Sequence, residues 1–233
     1  MDNQELFKTF FLFNKNRLSI ETRNSENLEI IFSKKSIFFS KENNFISKDT
    51  ELFLLKNIEE IEKKTKSFVK NISLILETES IFTIKLSFKK KVNQKIIPEN
   101  ELKSLLTNGL QLIYKNYSDC FIIHYMIENF IVDDEVVYSI KDKIINSFLC
   151  VELKFICIEK NYIDQFKRLF QKKEIYLEKV FSEKYLSDFV AKNENIVESA
   201  FKIEKGLNKL EVKLVPKKRE KKGFFENFFL IFQ

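Results

Sequence analysis

Three short runs open the chain: FKTFFLF, then RLSIETR followed by LEIIF, then SIFFS, parted by polar clusters of Asn, Lys and Ser. They are rich in aromatic and β-branched residues and predict an antiparallel meander from Phe7 to Phe39. The period then changes. Asp49 and Thr50 can cap a helix, and Leu54, Leu55, Ile58, Ile61 and Phe68 recur at helical spacing. NISLILE and IFTIKLSF follow as strands, the second with Phe82, Ile84, Leu86 and Phe88 alternating with polar neighbours.

Pro98 and Glu99 open a second helix that carries Leu102, Leu105, Leu106, Gly109, Leu112 and Ile113 on one face. CFIIHYMIENFIV reads as a strand, VDDEVVYS as a turn with a short return, and FLCVELKFICIE as a long strand. A third helix spans Tyr162 to Gln171, with Tyr162, Ile163, Phe166, Leu169 and Phe170 on one stripe, and EIYLEKVF returns as a strand. The order β-α-β-β-α-β predicts an α+β fold, with helices on one face of an antiparallel sheet. Beyond Val180, KYLSDFVA and ENIVESAFKIEKGL predict helices and KLEVKLV a strand. Pro216 ends the regular pattern.

The last residues differ from all the rest. On a helix Phe224, Phe225, Phe228, Phe229, Ile231 and Phe232 form one wide apolar stripe, leaving Glu226, Asn227 and Gln233 on the polar side. Lys217, Lys218, Arg219, Lys221 and Lys222 precede it and surround a single acid, Glu220. Cations beside an aromatic stripe suit the anionic inner face of a cytoplasmic membrane, where each contributes about 1 kcal/mol. Residues 223–233 are therefore expected to form a reversible amphipathic anchor, folded on contact with lipid.

Composition narrows the chemistry. The chain has 233 residues, 44% of them hydrophobic, with 26 Phe but only 3 Gly, 2 Pro and no Trp. That suffices for a core but supplies little for phosphate-cradling loops. No GxxxxGK[ST] or GxGxxG occurs. The net charge of +6 hides an even mixture of 40 basic and 34 acidic residues. A nucleic-acid-binding module is thus an alternative only, because the cations precede the aromatics as a block instead of interleaving with them. No apolar run approaches the ~20 residues of a membrane span, and no secretory signal opens the chain, so a cytoplasmic, membrane-peripheral protein is expected.

Few residues could react. The single histidine, His124, sits within an apolar strand and reads as structural. Cys120, Cys150 and Cys157 lack paired spacing and read as free thiols of a reducing compartment. One histidine with scattered cysteines makes a poor zinc set. Asp133 and Asp134 read as a turn. No catalytic, metal or cofactor-binding residue is expected, and the chain is not expected to be an enzyme.

The stretch IIHYMIENFIVDDE resembles the bacterial cell-division actin homologue FtsA, a family in which a His precedes apolar residues, a Pro, an aromatic and Val-Asp. His124, Phe130, Val132 and Asp133 match without a gap, and Ile127 replaces the proline. LCVELKFICIE, YIDQFKRLFQKKEI and YLEKV are similar to the inserted subdomain called 1C or SHS2, and the basic linker with its Phe-rich end resembles the family's membrane-targeting segment.

The resemblance implies five parts: an actin-like remnant at 1–80, a 1C or SHS2 subdomain at 81–180, a return segment at 181–215, a basic linker at 216–222 and the targeting helix at 223–233. It implies a membrane-attached, non-catalytic scaffold of the septal ring, with cell-division proteins or a second copy as partners and the tubulin-like polymer left open. Its working surface would lie between Ile81 and Val180, at an open sheet edge or an aromatic face near Phe130 and Tyr138. An actin-like pilus-assembly type protein is an alternative. The departures concern nucleotide: Leu12 and Asn14 stand where the family has the Asp and Gly of its first phosphate loop, and no second loop follows.

Overall fold

The computed structural model describes residues 6–14, 16–37, 46–93, 95–141, 143–192 and 194–212. The expected linker and anchor, residues 216–233, lie outside them. The expected meander forms from β1 (Phe7–Asn14), β2 (Arg17–Asn24) and β3 (Ile30–Ile37), each antiparallel to the next. LEIIF and SIFFS do not give separate strands. Lys34 and Lys35 lie exposed within β3, an edge strand, so polar residues there need not break it. Phe38 to Ser40 lie outside the described residues.

Helix α1 (Lys48–Thr65) starts earlier than expected. Ser47 is its cap, accepting a hydrogen bond from the Thr50 amide at 3.2 Å. Asp49 instead serves in the first turn, where its charge complements the helix dipole, and Thr50 is buried. Lys66 ends the helix in the left-handed region at φ 56°, so Phe68 falls beyond the apolar stripe and is 79% exposed.

The chain continues through β4 (Asn71–Glu77), β5 (Phe82–Lys91), a short β6 (Lys95–Ile96), α2 (Glu99–Asn116), β7 (Cys120–Val132) and β8 (Glu135–Val137). It then forms β9 (Ile144–Ile145), β10 (Phe148–Glu159), α3 (Lys160–Gln171), β11 (Tyr176–Ser182), α4 (Glu183–Ser187) and α5 (Ile196–Glu204). Two main sheets result. One is mixed, in the order β11-β4-β1-β2-β3; the other is antiparallel, in the order β5-β10-β7-β8. The protein is thus α+β, with one mixed and one antiparallel main sheet.

The helices are not all on one face of one antiparallel sheet. β11 pairs parallel to β4, which is itself parallel to β1, and α3 packs on this mixed sheet. The cause lies in β4: Ile72, Leu74, Ile75 and Leu76 are all fully buried, so the strand is covered on both faces and needs neighbours on both edges. The meander supplies one neighbour and β11 the other. One face of the mixed sheet is covered by α1 and α3, through Leu54, Ile58, Ile163, Phe166 and Phe170 against Phe11, Phe13 and Leu18. The other takes α4 and α5, through Tyr185, Leu186, Ala200 and Phe201 against Phe10, Leu12 and Ile75.

Of the expected second-helix face, only Gly109 and Ile113 are buried on α2. This helix lies on the antiparallel sheet so closely that a Cβ at Gly109 would meet Leu153 Cδ1 at 2.5 Å. The two sheets share apolar contacts, since Met126 and Ile156 of the antiparallel sheet join the cluster around Phe10 and Phe181. The chain then comes back to β7. Ile127 N–H donates to Leu210 at 2.9 Å and Val212 N–H to Tyr125 at 2.8 Å. This is the described part of the strand expected at KLEVKLV.

Candidate functional site

In sheets with parallel strands, ligands gather outside the strands' C-terminal ends. Here the ends of β1, β4 and β11 bring Asn14, Glu77 and Glu183 together, and their side chains bind one another. Asn14 and Arg17 are register partners, so the β1–β2 turn is short. Asn14 Nδ2 donates to the Glu77 carboxylate, and Asn14 Oδ1 accepts from the Asn16 amide at 3.2 Å. Arg17 Nη2 lies 2.7 Å from Glu183 Oε1. Burial pushes the Glu183 carboxyl above its ordinary value; Arg17 opposes the shift and the neighbouring Glu77 adds to it. Leu12, where the resemblance places a phosphate-loop acid, is packed into the core.

Two carboxylates thus occupy the region where a nucleotide's phosphates would need hydrogen-bond donors and a cation. Titration with a fluorescent ATP analogue and magnesium is expected to show no saturable binding at micromolar concentration. Stoichiometric micromolar binding would overturn this reading.

His124 lies on β7 at 3% exposure, and both ring nitrogens are engaged. Nε2 accepts from the Ser182 amide at 3.1 Å, which places the proton on Nδ1, 2.8 Å from Glu211 Oε1. Glu211 Oε2 accepts from the Tyr185 hydroxyl at 3.2 Å, and Asn208 Nδ2 donates to that hydroxyl at 2.9 Å. Burial lowers the His124 pKa, while Glu211 pulls in the opposite direction. The histidine joins the antiparallel sheet, the mixed sheet and the C-terminal segment. No reactive nucleophile is among these partners.

Asp133 and Asp134 form the expected turn, both with positive φ, between β7 and β8. The Asp133 carboxylate accepts from the Asn146, Ser147 and Phe148 amides and from the Ser147 hydroxyl, which hold its pKa well below the ordinary range. Cys120 and Cys157 are hydrogen-bonded, and burial raises both thiols, so neither is an activated nucleophile. Among the described residues no three His, Cys, Asp or Glu side chains converge as metal ligands.

Sequence reading missed a buried ionic group. Arg23 Nε lies 2.5 Å from Glu21 Oε1, and Arg23 Nη1 lies 2.8 Å from Glu198 Oε1. Asn195, the cap of α5, donates to Glu21 at 3.2 Å. Strand alternation places Ser19, Glu21 and Arg23 on one face, which reads as solvent. The signal against solvent was the apolar face of ENIVESAFKIE, which needs a sheet face to cover.

The expected aromatic face does not exist as one surface: Phe130 is buried under α2, whereas Tyr138 is 93% exposed. The open edge does exist. β5 ends the antiparallel sheet, and among the described residues no backbone hydrogen bond reaches its outer side. Ile84, Leu86 and Phe88 lean toward α2, whereas Lys85, Ser87, Lys89 and Lys91 alternate with them onto the open face. Among the described residues no helix is long and apolar enough to cross a membrane.

No protein-family model and no curated protein matches the chain. Similar solved structures include the PilM–PilN type IV pilus biogenesis complex, at 5% identity over 78% of this chain and 49% of that one, TM-score 0.45. Another is the cytoplasmic domain of EpsL, an inner membrane component of the type II secretion system of Vibrio cholerae. It is 9% identical over 77% of this chain and 57% of that one, TM-score 0.36. A third is a Bacteroides thetaiotaomicron protein with an actin-like ATPase fold and unknown function, 12% identical over 79% and 55%, TM-score 0.30. The chain spans about half the length of these structures, and none of the three is described as a cell-division protein.

Proposed function

We propose that this chain is a non-catalytic assembly adaptor: an actin-like body held on a membrane surface by its C-terminal segment and offering a protein-binding edge. One observation carries the adaptor reading. The antiparallel sheet inserted between β4 and β11 presents a ten-residue edge strand whose outer side is unpaired among the described residues, while the strand ends suited to a ligand are closed by Asn14–Glu77 and Arg17–Glu183.

The septal-ring reading rested on the similarity of LCVELKFICIE, YIDQFKRLFQKKEI, YLEKV and the Phe-rich end, and on four matched residues, His124, Phe130, Val132 and Asp133. All four are engaged locally, because His124 and Asp133 hold neighbouring segments and Phe130 and Val132 fill the core under α2. Their roles are structural and do not themselves point to a division partner. The broader class, an actin-like pilus-assembly type protein at an inner-membrane machine, is the reading we put first.

Membrane attachment rests on the sequence of the last residues. Burying a Phe side chain contributes up to ~1.5–3 kcal/mol, less at an interface, and the basic block adds about 1 kcal/mol per charge. The intact chain is expected to sediment with anionic liposomes. A chain ending at Pro216, and separately the Phe225→Asp, Phe228→Asp, Phe232→Asp triple variant, should stay in the supernatant with unchanged circular dichroism. Sedimentation of either variant like the intact chain would refute the anchor.

A further inference from the structure

We propose that β5 is a docking edge for an extended acidic segment of a partner protein, which adds to the antiparallel sheet as a fifth strand. The inference rests on the adaptor reading and names the chemistry of what is bound. An edge strand presents alternate N–H and C=O groups outward, so ten residues offer about five residues' worth of unpaired backbone groups. The sheet already accepts such an addition elsewhere, since Leu210 and Val212 pair with β7 at Ile127 and Tyr125.

Side chains set which strand fits. β5 carries Lys85, Lys89, Lys90 and Lys91 and no acid. Lys90 turns toward α2 and pairs with Glu101. On the open face the interior acids are already matched: Glu128 with Lys85 at 2.7 Å and with Lys154 at 3.9 Å, and Glu152 with Asn129 at 2.7 Å. Lys89 lies over the Phe148 ring, 3.7 Å from its centre, and Lys91 is exposed. Among the described residues Lys89 and Lys91 have no carboxylate partner, so these two rim cations are left for an added strand. Its acidic side chains would alternate on the open face, and its apolar ones would meet Ile84, Leu86 and Phe88 on the α2 side.

A second copy is the wrong occupant. Antiparallel self-pairing centred on Ser87 sets Lys85 opposite Lys89 twice, and pairing centred on Leu86 leaves the same lysines as diagonal neighbours. Like charges directly opposed across strands are destabilising.

The test uses the full chain in lipid-free buffer at physiological salt, with a fluorescein-labelled ten-residue peptide alternating Val and Glu. Saturable anisotropy is expected, with slowed amide exchange at residues 82–91. A peptide with Lys in place of each Glu should bind at least tenfold more weakly. The Lys89→Glu, Lys91→Glu variant should invert that preference, binding the Lys peptide better than the Glu peptide. Absent saturation, equal binding of both peptides, no inversion, protection confined elsewhere, or a β5-protected dimer without peptide would each overturn the proposal. Liposome sedimentation of the same variant should match the intact chain, so failure of the edge and failure of the anchor are told apart.

Discussion

Replacing Arg23 by methionine is expected to lower unfolding stability by about 3–5 kcal/mol, the cost of breaking a buried ionic group. Arg23 is 3% exposed and Glu21 7% exposed, so neither can turn to water without moving α5. The substitution strands the Glu21 carboxylate beside Asn195 alone and removes the donor 2.9 Å from the Leu28 carbonyl. It also leaves Glu198 unmatched in the first turn of α5. Against a typical domain stability of about 5–15 kcal/mol the loss is large. The same argument predicts a recovery. Arg23→Met with Glu21→Leu and Glu198→Leu removes all three charges, and apolar replacement of a whole buried group is often neutral. Urea midpoints of the single and triple variants measure both effects. A single variant within 1 kcal/mol of the parent would show that the group is hydrated.

What the sequence made legible was local periodicity; what it hid was pairing. RLSIETR, NISLILE and FLCVELKFICIE read as strands because their apolar residues alternate or run together, and each is a strand. The partner of EIYLEKVF could not be read the same way. Parallel pairing with β4 joins residues about a hundred positions apart, and nothing in a strand's own alternation names its neighbour. The face covering Glu21 and Arg23 was hidden for the same reason: α5 lies some 175 residues later, as the Arg23–Glu198 separation records. At the candidate site, Leu12 and Asn14 were visible as departures from the resemblance. The pairing of Asn14 with Glu77 and of Arg17 with Glu183 was not, because those acids come from two distant strand ends. The alternation of β5 was legible, yet its place at the edge depends on β10 pairing between it and β7.

Glu211→Leu is expected to cost on the order of 3 kcal/mol or more, from two hydrogen bonds to a carboxylate at ~1.5–3 kcal/mol each. One comes from His124 Nδ1 and the other from the Tyr185 hydroxyl. Asn208 donates to the Tyr185 oxygen and cannot accept its proton, so the Tyr185 O–H and the His124 Nδ1–H both lose their acceptor. The groups facing the ring are Glu211, the Ser182 amide, Tyr185 and Phe181, and only Glu211 favours the protonated imidazole. The folded pKa of His124 is lowered from the ordinary 6.5, burial outweighing Glu211. In the parent chain, stability from this group is therefore full above pH 6.5. It falls as pH drops from there toward the folded pKa, because the unfolded chain takes up a proton that the folded chain refuses. Removing Glu211 lowers the folded pKa further and extends that loss to lower pH. Because His124 is the single histidine, its Cε1–H resonance can be titrated without assignment. A folded-state midpoint above 6.5 would show that Glu211 outweighs burial, whereas a Glu211→Leu chain within 1 kcal/mol of the parent at pH 7 would show that this junction does not hold the two sheets and the C-terminal segment together.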